Sequence, residues 1–303
     1  MSTRVVFMGS PDFALPSLQR LAADHAVVGV VTQPDRPFGR GRQLAPPPVK
    51  ELALQLGIPV IQPERLREPA AMQQLRAWAP DVIVVAAFGQ ILRQAVLDLP
   101  PHGCINVHAS LLPRWRGASP IQAAILHGDA QTGVTIMCMD AGLDTGPMLS
   151  QRAIPIQPEE TAGTLSDKLA RLGAELLAET LPGYLAGRVL PRPQPQEGVT
   201  VVSLLNKADG ELDPTQPAEA LVRRVRAFQP WPGAYLPWAG GALKVQRAEA
   251  AAGGGNPGAH VVHQGLPALS TTEGLLLLEE VQPPGKKPMS GADFLRGAGR
   301  DWA

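Results

Sequence analysis

A chain of 303 residues, 45% of them hydrophobic and with a mean hydropathy near zero, is sized for two globular domains or one large one. Its 27 Lys and Arg balance 27 Asp and Glu, so no global field draws it to nucleic acid, and any contact with RNA or phosphate must rest on a local patch. No apolar run approaches the roughly 18 residues of a membrane span, no Cys/His cluster has metal-ligand spacing, and Cys104 and Cys138, both in apolar runs, read as buried thiols of a reducing, cytoplasmic compartment rather than a disulfide. The opening MSTRVVFMGS lacks the pattern of a signal peptide. Arg4–Gly9 reads as a buried strand entering a Gly turn, Pro11–Ala23 as a helix, and Ala26–Thr32 as a second strand. Continuous apolar strands around a helix predict a parallel βαβ unit. Its first turn is not G-x-G-x-x-G and no G-x-x-x-x-G-K-[ST] follows, so dinucleotide and NTP binding find little support.

Gln33–Pro48, QPDRPFGRGRQLAPPP, interrupts the pattern. Its prolines and glycines disfavour regular structure, and it is expected to be a loop at the carboxyl edge of the sheet, where ligands bind in open α/β folds. Arg36, Arg40 and Arg42 make it either a solvated surface loop or a basic arm for phosphates. Helices are then expected over Val49–Leu56 and Leu66–Trp78, with a short strand at Pro59–Gln62. Asp81–Phe88 reads as the central strand, running into Phe88, Gly89, Gln90, Ile91 and Leu92, with a short helix over Ile91–Leu97. Gly103–Ala109 and Gly133–Asp140 read as strands, Pro120–His127 as a helix, Met148–Ile156 as a strand at one side, and Thr161–Leu181 as a long helix with a leucine stripe. Pro191–Gly198 has the composition of a linker. Beyond it Ala218–Phe228 is helical, and short β-like runs at Ala234–Trp238, Ala242–Ala248, His260–Gln264 and Leu275–Val281 alternate with Gly and Pro, which suggests a small barrel.

The chemistry concentrates in Cys104–Pro120 and Met139–Pro147. Asn106 and His108 are two apart on one strand and so share a face, while Asp144 follows another apolar run in a turn bounded by Gly142 and Gly146. Singly, each has a plain structural use as turn, cap or satisfied core residue. Jointly, an amide that polarises a carbonyl, an imidazole that moves a proton and a carboxylate that orients the imidazole are the parts of an acyl-transfer site.

NVHASLLPRWRG and GLDTGPML resemble the two signature segments of the folate-dependent formyltransferases. That resemblance implies Asn106, His108 and Asp144 as the catalytic set, and Ser110, Leu111, Leu112 and Pro113 with Phe88–Leu92 as the folate-binding loops. MGSPDFALPSL and the Arg-bearing loop are similar to the branch of the family that acts on methionyl-tRNA, and FQPWPGAY and QPPGKKPMSGADFLRG resemble its C-terminal domain. The resemblance therefore implies an α/β fold: a Rossmann-like parallel-sheet catalytic domain over 1–190, a linker over 191–205 and an OB-like β-barrel, tRNA-binding domain over 206–303. It further implies 10-formyltetrahydrofolate as co-substrate with no metal, initiator methionyl-tRNA as partner bound partly through Arg36, Arg40 and Arg42, and a monomer. Pro214, Ser119 and Arg93 depart from the usual residues. Formyl transfer to an amino sugar or a purine ribotide, hydrolysis of the folate, and RNA binding without catalysis remain open alternatives.

Overall fold

Two textures of apolar sequence build two kinds of sheet: continuous runs give a mostly parallel one, alternating runs an antiparallel one. The computed structural model describes residues 2–38, 43–238 and 241–303. In chain order the elements are β1 (Arg4–Gly9), α1 (Leu15–Asp24), β2 (Ala26–Val31), β3 (Arg36–Phe38), β4 (Gln43–Ala45), α2 (Pro48–Gln55), β5 (Val60–Ile61), α3 (Pro69–Trp78), β6 (Val82–Ala86), α4 (Gln94–Leu97), β7 (Cys104–His108), β8 (Arg116–Gly117), α5 (Pro120–Leu126), β9 (Gln131–Cys138), β10 (Met148–Pro155), α6 (Ala162–Leu185), β11 (Val201–Val202), α7 (Ala218–Ala227), β12 (Ala234–Trp238), β13 (Gly241–Ala251), β14 (His260–His263), β15 (Leu266–Ser270), β16 (Leu275–Gln282), β17 (Met289–Ser290) and α8 (Gly291–Arg296). They divide into two compact units, one of Met1–Gly117, Thr132–Ile154 and Ser166–Val201, the other of Ala118–Gln131, Pro155–Leu165 and Val202–Ala303.

The first unit holds a seven-stranded sheet in the order β10-β9-β7-β6-β1-β2-β5. β1 pairs in parallel with β2 and β6, β6 in parallel with β7, and β9 runs antiparallel to β7. The chain leaves β1 toward β2 and β5, then returns to β6 on the other side. This reversal opens a crevice at the carboxyl ends of β1 and β6. Ser10 and Gln33 tie its two walls to the loop after β6: Gln33 Nε2 donates to the Phe88 carbonyl (3.0 Å) and the Gln33 N–H to Ser10 Oγ (3.1 Å). β6 is buried along its whole length, and its Ile83 and Val85 join Met8, Val31, Trp78, Phe88, Leu92 and Cys104 in one core. Close approach decides some residues there. A Cβ on Gly29 would lie 2.4 Å from the Trp78 ring, so only glycine lets α3 settle on β2.

The helices expected from Ile91 and Leu66 start later, at Gln94 and Pro69. Pro69 takes the first helical turn, where its missing N–H costs nothing. The expected irregular loop over Gln33–Pro48 is corrected in part. Arg36–Phe38 pairs antiparallel with Gln43–Ala45, placing Pro37 opposite Leu44; a two-stranded ribbon is all edge, and an edge tolerates proline. Arg40 and Arg42 lie outside the described residues. Asp35 roots the ribbon, accepting from Gln62 Nε2 (2.7 Å) and from Lys50 Nζ (2.9 and 2.7 Å). Those two donors, Gln62 first, hold its carboxyl below the ordinary range. Pro191–Gly198 forms no helix and ends in a turn at Glu197–Gly198, but it does not hang free. Arg192 exchanges two backbone hydrogen bonds with Met148, both 2.8 Å, and Gln194 is 7% exposed.

The second unit carries an antiparallel sheet in the order β12-β13-β16-β15-β14, with β17 added to β16. Register breaks beside Arg247 in the β13–β16 pairing bend it, giving a half-barrel whose inner face packs Leu221 and Val225 of α7 with Leu236, Leu278, Phe294 and Trp302. β15 and α8 are elements that the sequence reading did not single out. Among the described residues no helix is long and apolar enough to cross a membrane, and no group of three or more His, Cys, Asp or Glu could hold a metal ion.

His260 stacks on Trp302 with ring centroids 3.9 Å apart and planes 5° from parallel. Burial pushes its imidazole below the ordinary 6.5, against a smaller opposing effect of a backbone hydrogen bond involving Trp302. The unfolded chain therefore takes up this proton at higher pH than the folded one, and stability is full above about 6.5 and falls as pH drops through that value. The melting temperature should decline between pH 7 and pH 5, and His260→Gln should flatten that slope. A residual slope is expected from His25, which burial shifts the same way. An unchanged slope in the variant would remove His260 from the account.

Candidate active site

β7 brings Asn106 and His108 to the carboxyl end of the parallel strands. Asn106 lies opposite Val85 of β6 and Met137 of β9, and His108 opposite Thr135. Both are nearly buried, at 9% and 5% exposure, because strands cover β7 on both sides. The Asn106 side chain has no hydrogen-bond partner among the described residues. A buried amide without a partner is costly in a core, and this one sits near the end of β7, opposite Val85 of β6, as a donor with no protein acceptor to occupy it.

His108 is bound differently from the sequence expectation that Asp144 orients the ring. Its Nε2 lies 3.0 Å from the Trp115 carbonyl. A carbonyl only accepts, so Nε2 carries the proton and the neutral ring keeps its lone pair on Nδ1. That nitrogen faces Asp144 Oδ2 across 3.7 Å, too long for a hydrogen bond but close enough for strong coulombic contact once the ring is protonated. Asp144 Oδ2 in turn accepts from the Gly117 N–H at 2.8 Å.

Two residues that flank His108 hold left-handed backbone: Trp115 at φ 60° and Asp144 at φ 51°. Aspartate tolerates this region, but a bulky residue enters it only when its surroundings compel it. For Trp115 they do. Its N–H donates to Thr200 Oγ1 (2.7 Å), its carbonyl accepts from His108, and the Arg114 guanidinium lies 4.4 Å over its indole. The Asp144 turn is shaped by Asp140, whose Oδ1 accepts from the Gly142 N–H (3.0 Å) and from Thr145 Oγ1 (2.7 Å). At Gly146 a Cβ would stand 1.9 Å from the Cys138 carbonyl oxygen, so the turn closes only with glycine there. Gln194 completes it, donating from Nε2 to the carbonyls of Asp144 (2.7 Å) and Gly146 (2.8 Å) and accepting at Oε1 from Arg116 Nε (3.0 Å) and Nη2 (2.8 Å).

The two loops expected to bind folate are held by their own polar groups. Ser110 is fully buried, and its hydroxyl donates to the Arg114 carbonyl at 2.6 Å. Thr135 Oγ1 donates to the Ser110 carbonyl (2.7 Å) and accepts from the Leu112 N–H (3.1 Å), while Gln151 Nε2 donates to the Leu112 carbonyl (2.8 Å). Leu112 is buried, and Leu111 and Pro113 are partly so. After β6, Phe88 and Leu92 are core residues. Gln90 is spent on the Leu66 N–H (2.9 Å) and the Pro63 carbonyl (3.1 Å). Gly89 and Ile91 face out, Ile91 at 85% exposure. Arg36 stands apart on its ribbon, exposed, and pairs loosely with Glu64 at 3.7 Å, a contact of little energetic weight.

Thr135, Gln151, Gln194 and Thr200 were not found from sequence. Each is an ordinary polar residue whose partner lies 16 to 85 positions away, and only spacing within a strand or turn is visible to a local pattern. The geometry makes one sharp statement about His108. Nitrogen chemical shifts of the neutral imidazole should show the Nε2-protonated tautomer. A ring protonated at Nδ1 would mean that the Trp115 carbonyl does not hold it.

Residues 3–181 match the family described as Formyl transferase, and residues 204–299 match Formyl transferase, C-terminal domain. The chain is 53% identical to the methionyl-tRNA formyltransferase of Myxococcus xanthus over 296 residues, covering 97% of this chain and 95% of that one. It is 54% identical to the protein of the same name from Halorhodospira halophila over 301 residues, covering 98% and 97%. Among solved structures, the N-formyltransferase of Helicobacter canadensis, in complex with folinic acid and dTDP-3-aminofucose, superposes with a TM-score of 0.66 at 16% identity, over 92% of this chain and 99% of that one. At that identity it shares the fold.

Proposed function

The chain belongs to the formyl transferase family, and from that premise we propose how the residues around β7 carry out its reaction. The reaction moves the formyl group of 10-formyltetrahydrofolate to the free amino group of methionyl-tRNA, giving N-formylmethionyl-tRNA for translation initiation. The folate supplies a formyl group already activated for transfer, so the chain's task is positioning, charge stabilisation and proton movement. The observation that carries the assignment is the unpartnered, nearly buried amide of Asn106 two residues from His108. Apolar side chains exposed in the loops after β6 and β9, Ile91 at 85% and Leu143 at 54%, suit a flat ring system, and the loops Phe88–Leu92 and Ser110–Pro113 would line that site. With the hydroxyl of Ser110 already used, its part there is to keep the loop closed.

The amine attacks the formyl carbon, Asn106 donates to the oxygen as it gains charge, and the tetrahedral intermediate collapses by breaking the bond to the folate nitrogen, which leaves with the proton that His108 took from the amine. His108 takes the amine proton at Nδ1, the nitrogen with the free lone pair, directly or through water. Asp144, 3.7 Å from that atom, stabilises the imidazolium. In this reading Arg36, Arg40 and Arg42 meet tRNA phosphates, and the half-barrel adds RNA-binding surface. The protein acts as a cytoplasmic monomer in this reading.

Asn106→Ala should lower kcat by roughly 10²–10³, the loss typical of one oxyanion donor, with little change in melting temperature because no protein hydrogen bond is lost. Asp144→Asn and His108→Ala should fall in the same class. Formylation of charged tRNA followed by mass reads this directly, and near wild-type turnover in any one of them removes that residue from the mechanism.

A second measurement tests the arm. Replacing Arg36, Arg40 and Arg42 together by Ala should leave folate binding intact and weaken binding of charged tRNA. If each guanidinium meets one phosphate, the slope of log K against log salt drops by roughly 2–3 units. Normal tRNA binding at physiological salt would exclude the arm as a tRNA contact.

A further inference from the structure

Resting on the reaction assigned above, we infer that Gln194 and Thr200 are positioning residues: the proline-rich strap between α6 and β11 holds the two left-handed turns that bracket His108. Composition marks this stretch as a passive linker. Its geometry is that of a clamp on the site. Gln194 is buried to 7% exposure, and its amide makes two donated and two accepted hydrogen bonds, the full capacity of the group. Flipping the amide would set its oxygen against two carbonyls and its NH₂ against a guanidinium, so the orientation is unique. Through it the carbonyls of Asp144 and Gly146 are tied to Arg116, the residue beside the Gly117 N–H that binds the Asp144 carboxylate.

Six residues on, Thr200 does the same for the other turn. Its hydroxyl oxygen accepts from the Trp115 N–H (2.7 Å) and its carbonyl from the Arg116 N–H (2.9 Å). Trp115 at φ 60° is in a conformation that a bulky residue rarely adopts and that persists only when over-determined. The same residue's carbonyl sets the tautomer of His108. One strap thus fixes the carboxylate on one side of the imidazole and the carbonyl on the other. Neither Gln194 nor Thr200 needs to touch substrate to matter, because a displacement of about 1 Å at a reacting group can cost 10²-fold in rate.

The test uses the full-length protein, with kcat and KM measured for folate donor and for charged tRNA. Gln194→Ala and Thr200→Val should each lower kcat roughly 10- to 100-fold, with both KM values within about threefold of wild type, and Thr200→Ser should restore turnover. Because Gln194 acts through Asp144, Gln194→Ala introduced into Asp144→Asn should cost less than about twofold more, and Thr200→Val should likewise add little to His108→Ala. A merely structural role would instead multiply the losses in full and lower the melting temperature in proportion; that result overturns the proposal, as does a single variant with unchanged kcat. Gln194→Met keeps the length without the amide and answers the question if the Ala variant does not fold. Should Asp144→Asn itself turn over normally, the fault lies with the catalytic assignment; a dead Asp144→Asn beside a fully active Gln194→Ala faults the strap alone.

Discussion

The hydrogen bond between His108 Nε2 and the Trp115 carbonyl is the contact on which the site depends. It decides where the imidazole proton sits and therefore which nitrogen is left to accept one. It also requires Trp115 to turn its carbonyl inward, which the chain achieves by holding a bulky residue in left-handed backbone. The N–H, the carbonyl and the indole of Trp115 are each engaged. The energy spent on that turn is supplied by a network that leaves the residue no alternative.

Around it the sheet does the coarse placement. β7 lies between β6 and β9, so Asn106 and His108 leave its end with little freedom, and the crevice opens where the chain reverses direction across β1. The finer placement comes from side chains that reach over from β9, β10 and the strap. Thr135 and Gln151 clamp the Ser110–Pro113 loop, while Gln194 clamps the Asp144 turn. Much of this network is amide or hydroxyl to backbone. Such groups keep their charge state across the physiological range, so the clamps themselves do not depend on pH.

The second unit is built on different terms. Its bent antiparallel sheet encloses an apolar core, and Trp302 anchors its end by donating to the Val261 and Ala268 carbonyls (3.1 and 3.2 Å). With the whole chain electrically neutral, RNA affinity must come from clustered cations and not from net charge. Asp35 turns its carboxylate to Lys50 and Gln62 and serves as the root of the ribbon.

Sequence by itself determined the βαβ start, the central strand at β6, the long α6 and the shift to short strands after the proline-rich stretch. It did so because apolar periodicity and turn residues are local properties. It also singled out Asn106, His108 and Asp144, since two lie at i and i+2 on one strand and the third sits between glycines. Pairing across distance was settled by tertiary structure alone. The ribbon at Arg36–Phe38 needed its partner strand to exist, and the orientation of His108 needed a carbonyl whose turn is held from Thr200, 85 positions away. The proline-rich strap shows the difference most clearly: its composition speaks only of extended backbone, while the burial of Gln194 depends on where Arg116, Asp144 and Gly146 come together once the sheet has formed.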